Sequence, residues 1–319
     1  MASSSTLGLG IIGLGAMGAT LMRAAREHSD FTVRAAADPS ESARLTAAGL
    51  IPGVRLSADP DAVLSDPGVD LVYIATPPAF HHDLSLAAFA RGKHVFCEKP
   101  LSVSLAEGEA MARAAAESGR VSGVNFALSD RSSVLHLEQQ LADGALGDVR
   151  GVEIRLQFPQ WPRPFQEKAL WLNGREQGGF VREVLSHFIY LTQRLFGPLE
   201  VRFHDARFPA DGSAETWLSA ALTAGGIPVQ ITAAAGIGSE TTYEWFAWGT
   251  ESSYLLKDWA KLSQFRQGQW QPVPMPVQQG DEASRLALLA AAIRGGSLQN
   301  IASFDAALGV QRVIEQLVR

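Results

Sequence analysis

The chain has 319 residues, of which 46% are hydrophobic, and a formal net charge of -6. This length predicts two domains, and the acidic balance excludes the clustered cationic surface that nonspecific nucleic-acid binding needs. A single cysteine excludes an intrachain disulfide and is typical of a reducing compartment, so we expect a cytoplasmic protein. At the N-terminus, Met1–Thr6 is too short and polar for a signal peptide, and no later apolar run is long enough for a membrane helix.

The first third of the chain alternates between strand and helix patterns. Strands are predicted over 7–12, 31–37, 71–75 and 94–97, with another short one after Gly53, and helices over 19–28, 42–48 and 83–91. Strands that alternate with helices of this length indicate βαβ units. We therefore expect an α/β fold whose N-terminal domain, residues 1–123, is a doubly wound Rossmann domain with a parallel sheet.

A glycine-rich turn after the first strand predicts a dinucleotide site. It comprises Gly13, Leu14, Gly15, Ala16, Met17 and Gly18. The glycines let the backbone approach a pyrophosphate, whose charge meets the positive end of the following helix. Asp38, 20 residues beyond Gly18, ends the second strand and is placed to accept hydrogen bonds from ribose hydroxyls. Its carboxylate would repel a 2′-phosphate, so NAD is favoured over NADP. The alternative interpretation is a tight turn with a helix-capping aspartate.

Two motifs further along resemble the Gfo/Idh/MocA oxidoreductases, named after glucose–fructose oxidoreductase, inositol dehydrogenase and a rhizopine-catabolism protein. They are ATPPAFH at 75–81 and GKHVFCEKPL at 92–101. The resemblance extends over nearly the whole chain. It implies that Lys99 touches the reacting oxygen and the nicotinamide ribose, and that the Thr76–Pro77 loop and Glu98 line the nicotinamide side. We include His81, which ends the first motif, among the predicted cofactor-binding residues.

Lys99 also has a chemical reason to be at a reaction centre. Reduction of a carbonyl builds negative charge on its oxygen, and a fixed ammonium stabilises that charge where water is excluded. In the oxidative direction, the same ammonium eases deprotonation of an alcohol. The position of Lys99, at the C-terminal end of a parallel strand, is where ligands bind in doubly wound sheets. The alternative is a surface lysine before a turn proline.

The second part of the chain changes to strand patterns with few helices. A helix is predicted over 134–141, strands over 152–158, 201–207, 217–223, 229–235, 243–250, 252–256 and 262–266, and closing helices over 284–294 and 304–318. Alternation of apolar and polar residues, as in 152–158, is typical of a sheet with one solvated face. We expect residues 124–319 to form an α+β domain with an open, mainly antiparallel sheet. The terminal helix, about 300–319, is expected to pack back on the first domain.

The segment from Gly178 to His187 resembles the family's Gly-Gly…Asp-x-x-x-His motif, with Glu183 where an aspartate is usual. A spacing of four places Glu183 and His187 on one helix face. Histidine titrates near neutrality, so His187 can exchange the substrate proton while hydride moves on carbon. Glu183 would orient His187 or bind substrate hydroxyls, or turn toward Arg182 or Lys168. The alternative is an ordinary helix ion pair.

Aromatic residues suggest further contacts. All seven tryptophans lie in the second part of the chain. Trp161 and Trp171 bracket a proline-rich loop before the double glycine and are candidates to stack on a sugar ring. Tyr190 stands where many relatives carry a further acid, and we add it to the substrate candidates. The other tryptophans are expected in the core or on a sheet face that pairs with a second copy, as a homodimer or homotetramer. No metal site is predicted.

These residues lead to one principal hypothesis and two alternatives. The principal one is an NAD(P)-dependent oxidoreductase that transfers a hydride between nicotinamide and a sugar, polyol or related cyclic alcohol or ketone. Lys99, His187 and Glu183 would be its catalytic residues. The alternatives are a non-catalytic sensor that binds dinucleotide and a partner protein, and an NAD-assisted glycosidase. Because the family's motif is incomplete at Glu183 and Tyr190, activity on inositol does not follow from the sequence.

Overall fold

The computed structural model describes residues 6–166, 169–275 and 279–319. Met1–Ser5 and Lys168, on which two of the interpretations above fell, lie outside the described residues. Backbone contacts divide the chain into two compact units. One unit runs to Phe126 and adds Gly280–Leu308, and the other combines Ala127–Gln279 with Gly309–Arg319. The first unit thus continues to residue 126, beyond the 123 expected from sequence, and takes in a later helix.

A six-stranded parallel sheet forms the centre of the first unit, in the order β3-β2-β1-β4-β5-β6. Its strands are β1 (Leu7–Ile12), β2 (Phe31–Ala37), β3 (Arg55–Ser57), β4 (Leu71–Ile74), β5 (His94–Cys97) and β6 (Ser122–Val124). β4 is buried throughout, and β5 is buried after His94, as a sheet covered on both faces requires. The strand order reverses between β1 and β4, so their carboxyl ends border the crevice where such folds bind ligands.

Helices follow the strands of this unit. They are α1 (Ala16–Arg26), α2 (Glu41–Leu50), α3 (Asp61–Leu64), α4 (His81–Ala90), α5 (Leu105–Ser118) and α8 (Glu282–Ile293). Ser40 and Ser104 cap α2 and α5 by accepting backbone N–H groups, and Asp281 forms a capping box at α8. Side chains of α1 and α8 join those of β1 and β4 in one apolar core, which includes Leu9, Leu21 and Leu289.

An eight-stranded sheet forms the second unit, in the order β14-β13-β12-β11-β7-β10-β9-β8. Its strands are β7 (Val149–Phe158), β8 (Leu199–Arg207), β9 (Trp217–Ala224), β10 (Ile227–Ala235), β11 (Thr242–Gly249), β12 (Ser253–Lys257), β13 (Lys261–Arg266) and β14 (Gln269–Pro272). Only the β7–β10 pair is parallel among these strands. The expected α/β fold, with a parallel first sheet and a mainly antiparallel second one, is confirmed.

Helix α7 (Ser186–Phe196) packs on one face of this sheet, and α6 (Ser132–Ala142) contacts the same face where the Tyr254 hydroxyl donates to Gln140 at 3.2 Å. The fully buried Trp245 of β11 marks that face, and its indole donates to Thr192 of α7 at 2.9 Å. The opposite face carries the alternate residues, such as Arg155 and Trp248, which are partly or largely exposed. The terminal helix α9 (Phe304–Leu317) begins with Phe304 against Phe89 of α4, at 5.7 Å between ring centroids.

Neither unit offers a membrane span or a metal cluster within the part of the chain that the structure describes. No helix there is long and apolar enough to cross a bilayer. Likewise, no group of three or more His, Cys, Asp or Glu side chains among the described residues is arranged to hold a metal ion.

Candidate functional site

The glycine turn between β1 and α1 is shaped by close backbone contacts. Gly13 has φ of 95°, and a Cβ there would lie 2.5 Å from the Ala75 carbonyl oxygen. A Cβ on Gly18 would overlap the Gly13 carbonyl oxygen. Gly15, by contrast, has open space around it and caps α1, whose first turn contains no acidic residue. The turn therefore leaves a helix N-terminus accessible to a phosphate group.

Asp38 lies beside this turn at the end of β2. One carboxylate oxygen accepts the Leu14 backbone N–H at 2.7 Å, and the other accepts that of Ser40 at 2.8 Å. Arg44 donates to the backbone carbonyls of Asp38 and Pro39 at 2.7 and 3.0 Å. Asp38 thus holds the glycine turn and the segment before α2, whereas the cap of α2 is Ser40, and the Asp38 side chain is only partly buried. A carboxylate oxygen has a second lone pair with which to accept a ribose hydroxyl.

His81 connects the two loops that the family motifs define. Its ring is fully buried, and its two nitrogens lie 2.9 Å from the carbonyl oxygens of Thr76 and Pro100. Burial lowers the pKa of His81, against the opposing effect of these carbonyls. His81 thus lies beneath the Thr76–Pro77 and Lys99–Pro100 segments. The Thr76 hydroxyl is buried and has no hydrogen-bond partner among the described residues, so it is placed to bind a ligand group.

Glu98 and Lys99 follow β5 directly. The Glu98 carboxylate is buried and accepts a short hydrogen bond from the Tyr73 hydroxyl and another, at 2.7 Å, from the Asn125 amide. Burial raises the pKa of Glu98 to about 7, although these donors and the Lys99 charge act in the opposite direction. Lys99 is half-buried, and its peptide bond to Pro100 is cis. An ammonium next to a buried carboxyl at the end of a parallel strand is well placed for a ligand's polar atom.

These contacts bring most of the predicted cofactor residues to one edge of the parallel sheet. The carboxyl ends of β1, β2, β4 and β5 contribute Gly13, Asp38, Thr76 and Glu98 with Lys99. A helix terminus for a pyrophosphate, an acceptor for ribose and an orphaned hydroxyl in one row fit a dinucleotide. Ala16 and Met17 form the first turn of α1 on the same edge.

In the second unit, Glu183 and His187 lie on one continuous helical segment. Val181–Leu185 is a single turn of π-helix, and α7 follows it from Ser186. Such a turn widens the helix locally, and π-helical turns are frequent at functional sites. Glu183 and His187 therefore lie about one turn apart, as their spacing predicts, with Glu183 in the wider turn.

The Glu183 carboxylate is bound by two side chains of the proline-rich loop. It accepts from the Arg163 guanidinium at 3.2 Å and from the Gln166 amide at 2.7 Å. Arg182, one of the partners considered above, instead forms a bidentate pair with Glu315 at 2.9 and 3.0 Å. Glu183 thus forms an ion pair with a largely buried guanidinium beside α7.

His187 is buried, and its Nδ1 accepts the backbone N–H of Ala127 at 3.1 Å. In the neutral ring this bond leaves the hydrogen on Nε2, which is then the donor. Trp259, on the turn between β12 and β13, lies edge-on to the imidazole at 5.2 Å between ring centroids. A hydrogen bond on one side and an aromatic ring on the other fix the direction in which Nε2 points.

The double glycine before this helix makes room for a buried acid. Gly179 has φ of 95°, and a Cβ there would lie 2.5 Å or less from the Glu215 carboxylate oxygens. One of these oxygens accepts the Val181 backbone N–H at 2.7 Å, and the other has no hydrogen-bond partner among the described residues. Burial raises the pKa of Glu215 to about 7, against the N–H donors and the Arg182 charge. Glu215 thus occupies the N-terminal end of the helix that carries Glu183 and His187.

The predicted substrate residues differ in how they are placed. Trp161 is partly exposed, and its indole donates to the Leu172 carbonyl at 3.1 Å. Trp171 is half-buried in a short 3₁₀ turn, whereas Tyr190 is buried in α7. Trp161 and Trp171 therefore present ring surface to solvent within the second unit, and Tyr190 presents little.

The chain matches two models of one family. Residues 7–126 match the oxidoreductase family with an NAD-binding Rossmann fold, and residues 134–255 match the GFO/IDH/MocA C-terminal domain. The protein is a member of the GFO/IDH/MocA family. The motifs around Glu98, Lys99 and His187 led to the same family from the sequence, and that resemblance is confirmed.

Individual known proteins are similar to part or nearly all of the chain. Inositol 2-dehydrogenase of Rhodococcus jostii is 31% identical over 61% of this chain and 51% of that protein. In this and two further curated relatives, the aligned residues span only 22% to 51% of the relative's own length. Two solved structures share the fold: levoglucosan dehydrogenase in complex with NADH and a 3-ketoreductase of Actinomadura kijaniata in complex with NADP. Their TM-scores are 0.85 and 0.84 at 19% and 18% identity, with 98% of this chain and 96% and 97% of theirs covered.

Several residues of these sites belong to no motif, so the sequence alone does not predict their roles. Tyr73 lies inside a buried strand, Asn125 follows the short strand β6, and Arg163 belongs to a proline-rich loop. Glu215 and Trp259 are far along the chain from the residues they contact. The glycine pair, Glu183 and His187 belong to one recognisable motif, but which distant side chains surround them depends on the fold.

Proposed function

We propose that this protein is an NAD(P)-dependent oxidoreductase that transfers a hydride between nicotinamide and a sugar, polyol or related cyclic alcohol or ketone. The observation that carries the proposal is the row of Gly13, Asp38, Thr76 and Lys99 along the carboxyl edge of the parallel sheet. It combines a dinucleotide cradle with a cation, and membership of the GFO/IDH/MocA family supports the same class. When bound, the dinucleotide supplies or accepts the hydride.

Each catalytic residue has a distinct role in this proposal. The Lys99 ammonium polarises the reacting oxygen and stabilises its negative charge. His187 exchanges the oxygen's proton at Nε2. In reduction Nε2 donates its hydrogen to the oxygen; in oxidation, with the Ala127 contact open and the ring hydrogen on Nδ1, Nε2 accepts the proton of the O–H bond while the C–H bond gives up its hydride. Glu183, paired with Arg163, binds substrate hydroxyls or orients the histidine. The proton and the hydride together account for the two hydrogens that an alcohol loses.

The substrate class rests on the relatives and on the aromatic side chains. Relatives include inositol dehydrogenases and a levoglucosan dehydrogenase, which act on ring-shaped polyols and an anhydrosugar. Trp161 and Trp171 offer partly exposed rings of the kind that pack on the C–H face of a sugar. NADH absorbance across inositols, anhydrosugars, keto-sugars and lactones, followed in both directions, tests the proposal. Release of an aglycone without net NADH would favour the glycosidase instead, and a stoichiometric protein partner without turnover would favour the sensor.

Cofactor choice is the first prediction. We propose a preference for NAD over NADP, because the Asp38 carboxylate lies beside the glycine turn, where a 2′-phosphate would meet its charge. Asp38→Asn removes the charge and keeps the side-chain volume, so it should narrow the gap between the two dissociation constants. Asp38→Ala should narrow it too, while weakening binding of both dinucleotides because the Leu14 N–H loses its acceptor. Titration calorimetry with NAD and NADP measures all four changes.

Arg44 provides the control for that prediction. Its guanidinium is held at the end of β2 by the carbonyls of Asp38 and Pro39. If Asp38 decides the preference, Arg44→Gln should leave the ratio of the two dissociation constants nearly unchanged. Tighter binding of NADP than NAD by the wild-type protein, abolished by Arg44→Gln, would contradict the assignment and give the deciding role to Arg44.

We propose that the open face of the eight-stranded sheet pairs with a second copy of the chain. Trp248, Phe265 and Trp270 lie on this face with 37%, 41% and 37% of their surface exposed. The same face carries both signs of charge, with Glu244 paired to Arg155 and Lys257. A surface that combines exposed aromatic rings with both charges is complementary to itself, as a two-fold interface requires.

Light scattering after size-exclusion chromatography tests this pairing. Wild-type protein should elute as a dimer or tetramer, and Trp248→Arg with Trp270→Glu should shift it to the monomer, because both changes place charges inside the interface. Leu45→Arg, on the exposed surface of α2, is the matched control and should leave the mass unchanged. A monomeric wild-type protein at micromolar concentration would contradict the proposal.

We propose that the protein is cytoplasmic. Its support is the single cysteine, Cys97, which is buried at the end of β5. Burial raises the pKa of this thiol well above its usual value, so the thiol stays protonated and inert.

A further inference from the structure

The turn between β12 and β13 has a backbone conformation that its residues rarely adopt. Asp258 and Trp259 have φ of 49° and 69°, and the Ala260 N–H lies 3.3 Å from the Lys257 carbonyl oxygen. Two successive residues with positive φ inside such a turn are the pattern of type I′, which favours glycine and asparagine. Aspartate is tolerated there, but a bulky residue such as tryptophan is a clear exception.

The side chain of Trp259 lies against the candidate proton carrier. Its ring is edge-on to His187, with 5.2 Å between centroids and 87° between planes. It also contacts Phe188 at 5.3 Å and Tyr243 at 5.1 Å. The Tyr243 hydroxyl in turn accepts from Arg163 at 3.1 Å, and Arg163 pairs with Glu183. The Trp259 ring therefore touches His187 directly, and it packs on Tyr243, whose hydroxyl accepts from the arginine that pairs with Glu183.

The turn itself does not need the indole. Its backbone is tied by the Asp258 N–H to the Tyr243 carbonyl at 3.0 Å, and the Asp258 carboxylate pairs with Lys261 at 3.0 Å. Neither contact uses the side chain of residue 259, and an Asp-Gly sequence is among the most favoured for this kind of turn. Unfavourable backbone conformations of this sort concentrate at functional sites, where surrounding contacts hold them in place.

We propose that Trp259 is a positioning residue for the oxidoreductase reaction, fixing the imidazole of His187 so that Nε2 faces the substrate oxygen. This inference rests on the proposed function. The ring closes one side of the imidazole, and the Ala127 N–H holds Nδ1 on the other. Rotation of the imidazole about its side-chain bonds would then cost both contacts. Without the indole, the histidine should populate orientations in which Nε2 does not meet the substrate.

Two substitutions separate this role from the stability of the turn. Trp259→Gly and Trp259→Ala both remove the ring, but only glycine relieves the unfavourable backbone conformation. The glycine variant should therefore unfold at a higher temperature than the alanine variant. Both should nevertheless lose kcat by about 10-fold to 100-fold, as expected when a reacting group is misplaced. The Michaelis constant for the dinucleotide should stay within about twofold, because its predicted site is in the other unit.

Trp259→Phe keeps an aromatic ring on the same strained turn and should retain most of the kcat. Activity that followed the unfolding temperature instead, with glycine near wild type and alanine far below it, would overturn the positioning role. So would a glycine variant with unchanged kcat.

A second measurement does not depend on turnover. In ¹⁵N-histidine spectra, the wild-type His187 ring should show one tautomer with the hydrogen on Nε2, while the glycine and alanine variants should show averaged or broadened nitrogen signals. An unchanged His187 spectrum in both variants would overturn the proposal even if no substrate is found. Absence of turnover by the wild-type protein across the whole panel would instead count against the proposed function.

Discussion

Lys99→Met should lower kcat for the true substrate by about 10²- to 10³-fold, equivalent to roughly 3 kcal/mol of transition-state stabilisation. Methionine fills nearly the same volume and removes only the charge and its hydrogen bonds. Because the ammonium acts on charge that develops during hydride transfer, kcat should fall far more than the Michaelis constant rises. NADH absorbance under saturating substrate measures the loss. Unchanged turnover would show that Lys99 does not contact the reacting oxygen.

Lys93→Met is the matched control for that experiment. Lys93 precedes the same strand, and its ammonium donates to the carbonyls of Asp66 and Val69 at 2.8 and 2.7 Å. Its loss removes structural hydrogen bonds, so the melting temperature should fall while kcat stays close to wild type. A comparable loss of kcat in both variants would assign the Lys99 effect to folding and not to catalysis.

His187→Asn should slow oxidation and reduction together, by about 10²- to 10⁴-fold, the usual contribution of a positioned acid or base. In the wild-type protein the two directions should have opposite pH trends, because reduction consumes the protonated form of the carrier and oxidation consumes the neutral form. The asparagine variant should lose both trends. Profiles of kcat from pH 5 to pH 9, recorded in each direction, test this.

The hydrogen bond from the Ala127 N–H to His187 Nδ1 also allows a role for His187 other than proton carrier. With Nδ1 accepting a backbone N–H at 3.1 Å, the ring takes a second proton only when that bond opens. A variant that slows the reaction but keeps both opposed pH profiles would therefore contradict the proton-carrier role. His187 would then act as a neutral donor through Nε2, stabilising charge on oxygen, and the proton would belong to another group, with Tyr190 the first to test.

The sequence predicts the first unit well because its signals are local. Strands β1, β2 and β5 have the predicted bounds, since β1 and β5 are short, largely apolar runs and β2 alternates apolar and polar residues before three alanines. Helix α5 and strand β6 were not predicted. The alanine-rich pattern of α5 has a weak apolar stripe, and β6 is only three residues long, too short for any periodicity.

In the site, sequence reasoning identifies the residues that belong to motifs and not the ones that surround them. Glu183 and His187 follow from spacing, yet the Arg163 guanidinium and the Gln166 amide that donate to Glu183 do not. Trp259 was assigned to the core or to a pairing face, whereas its ring lies on His187. These contacts join positions that are distant along the chain, and their formation depends on strand register in β11, β12 and β13. No local pattern encodes that register.

The approach of Glu215 to Gly179 couples two positions that a chain cannot vary independently. Any side chain at 179 would enter the space of the carboxylate, and a shorter residue at 215 would leave both that space and the Val181 N–H without an occupant. The two substitutions should therefore be strongly non-additive, since each changes what the other can accommodate. Glycine at 179 accommodates either a large or a small residue at 215, whereas the acid at 215 leaves room for glycine alone at 179, so the acid should be lost before the glycine is.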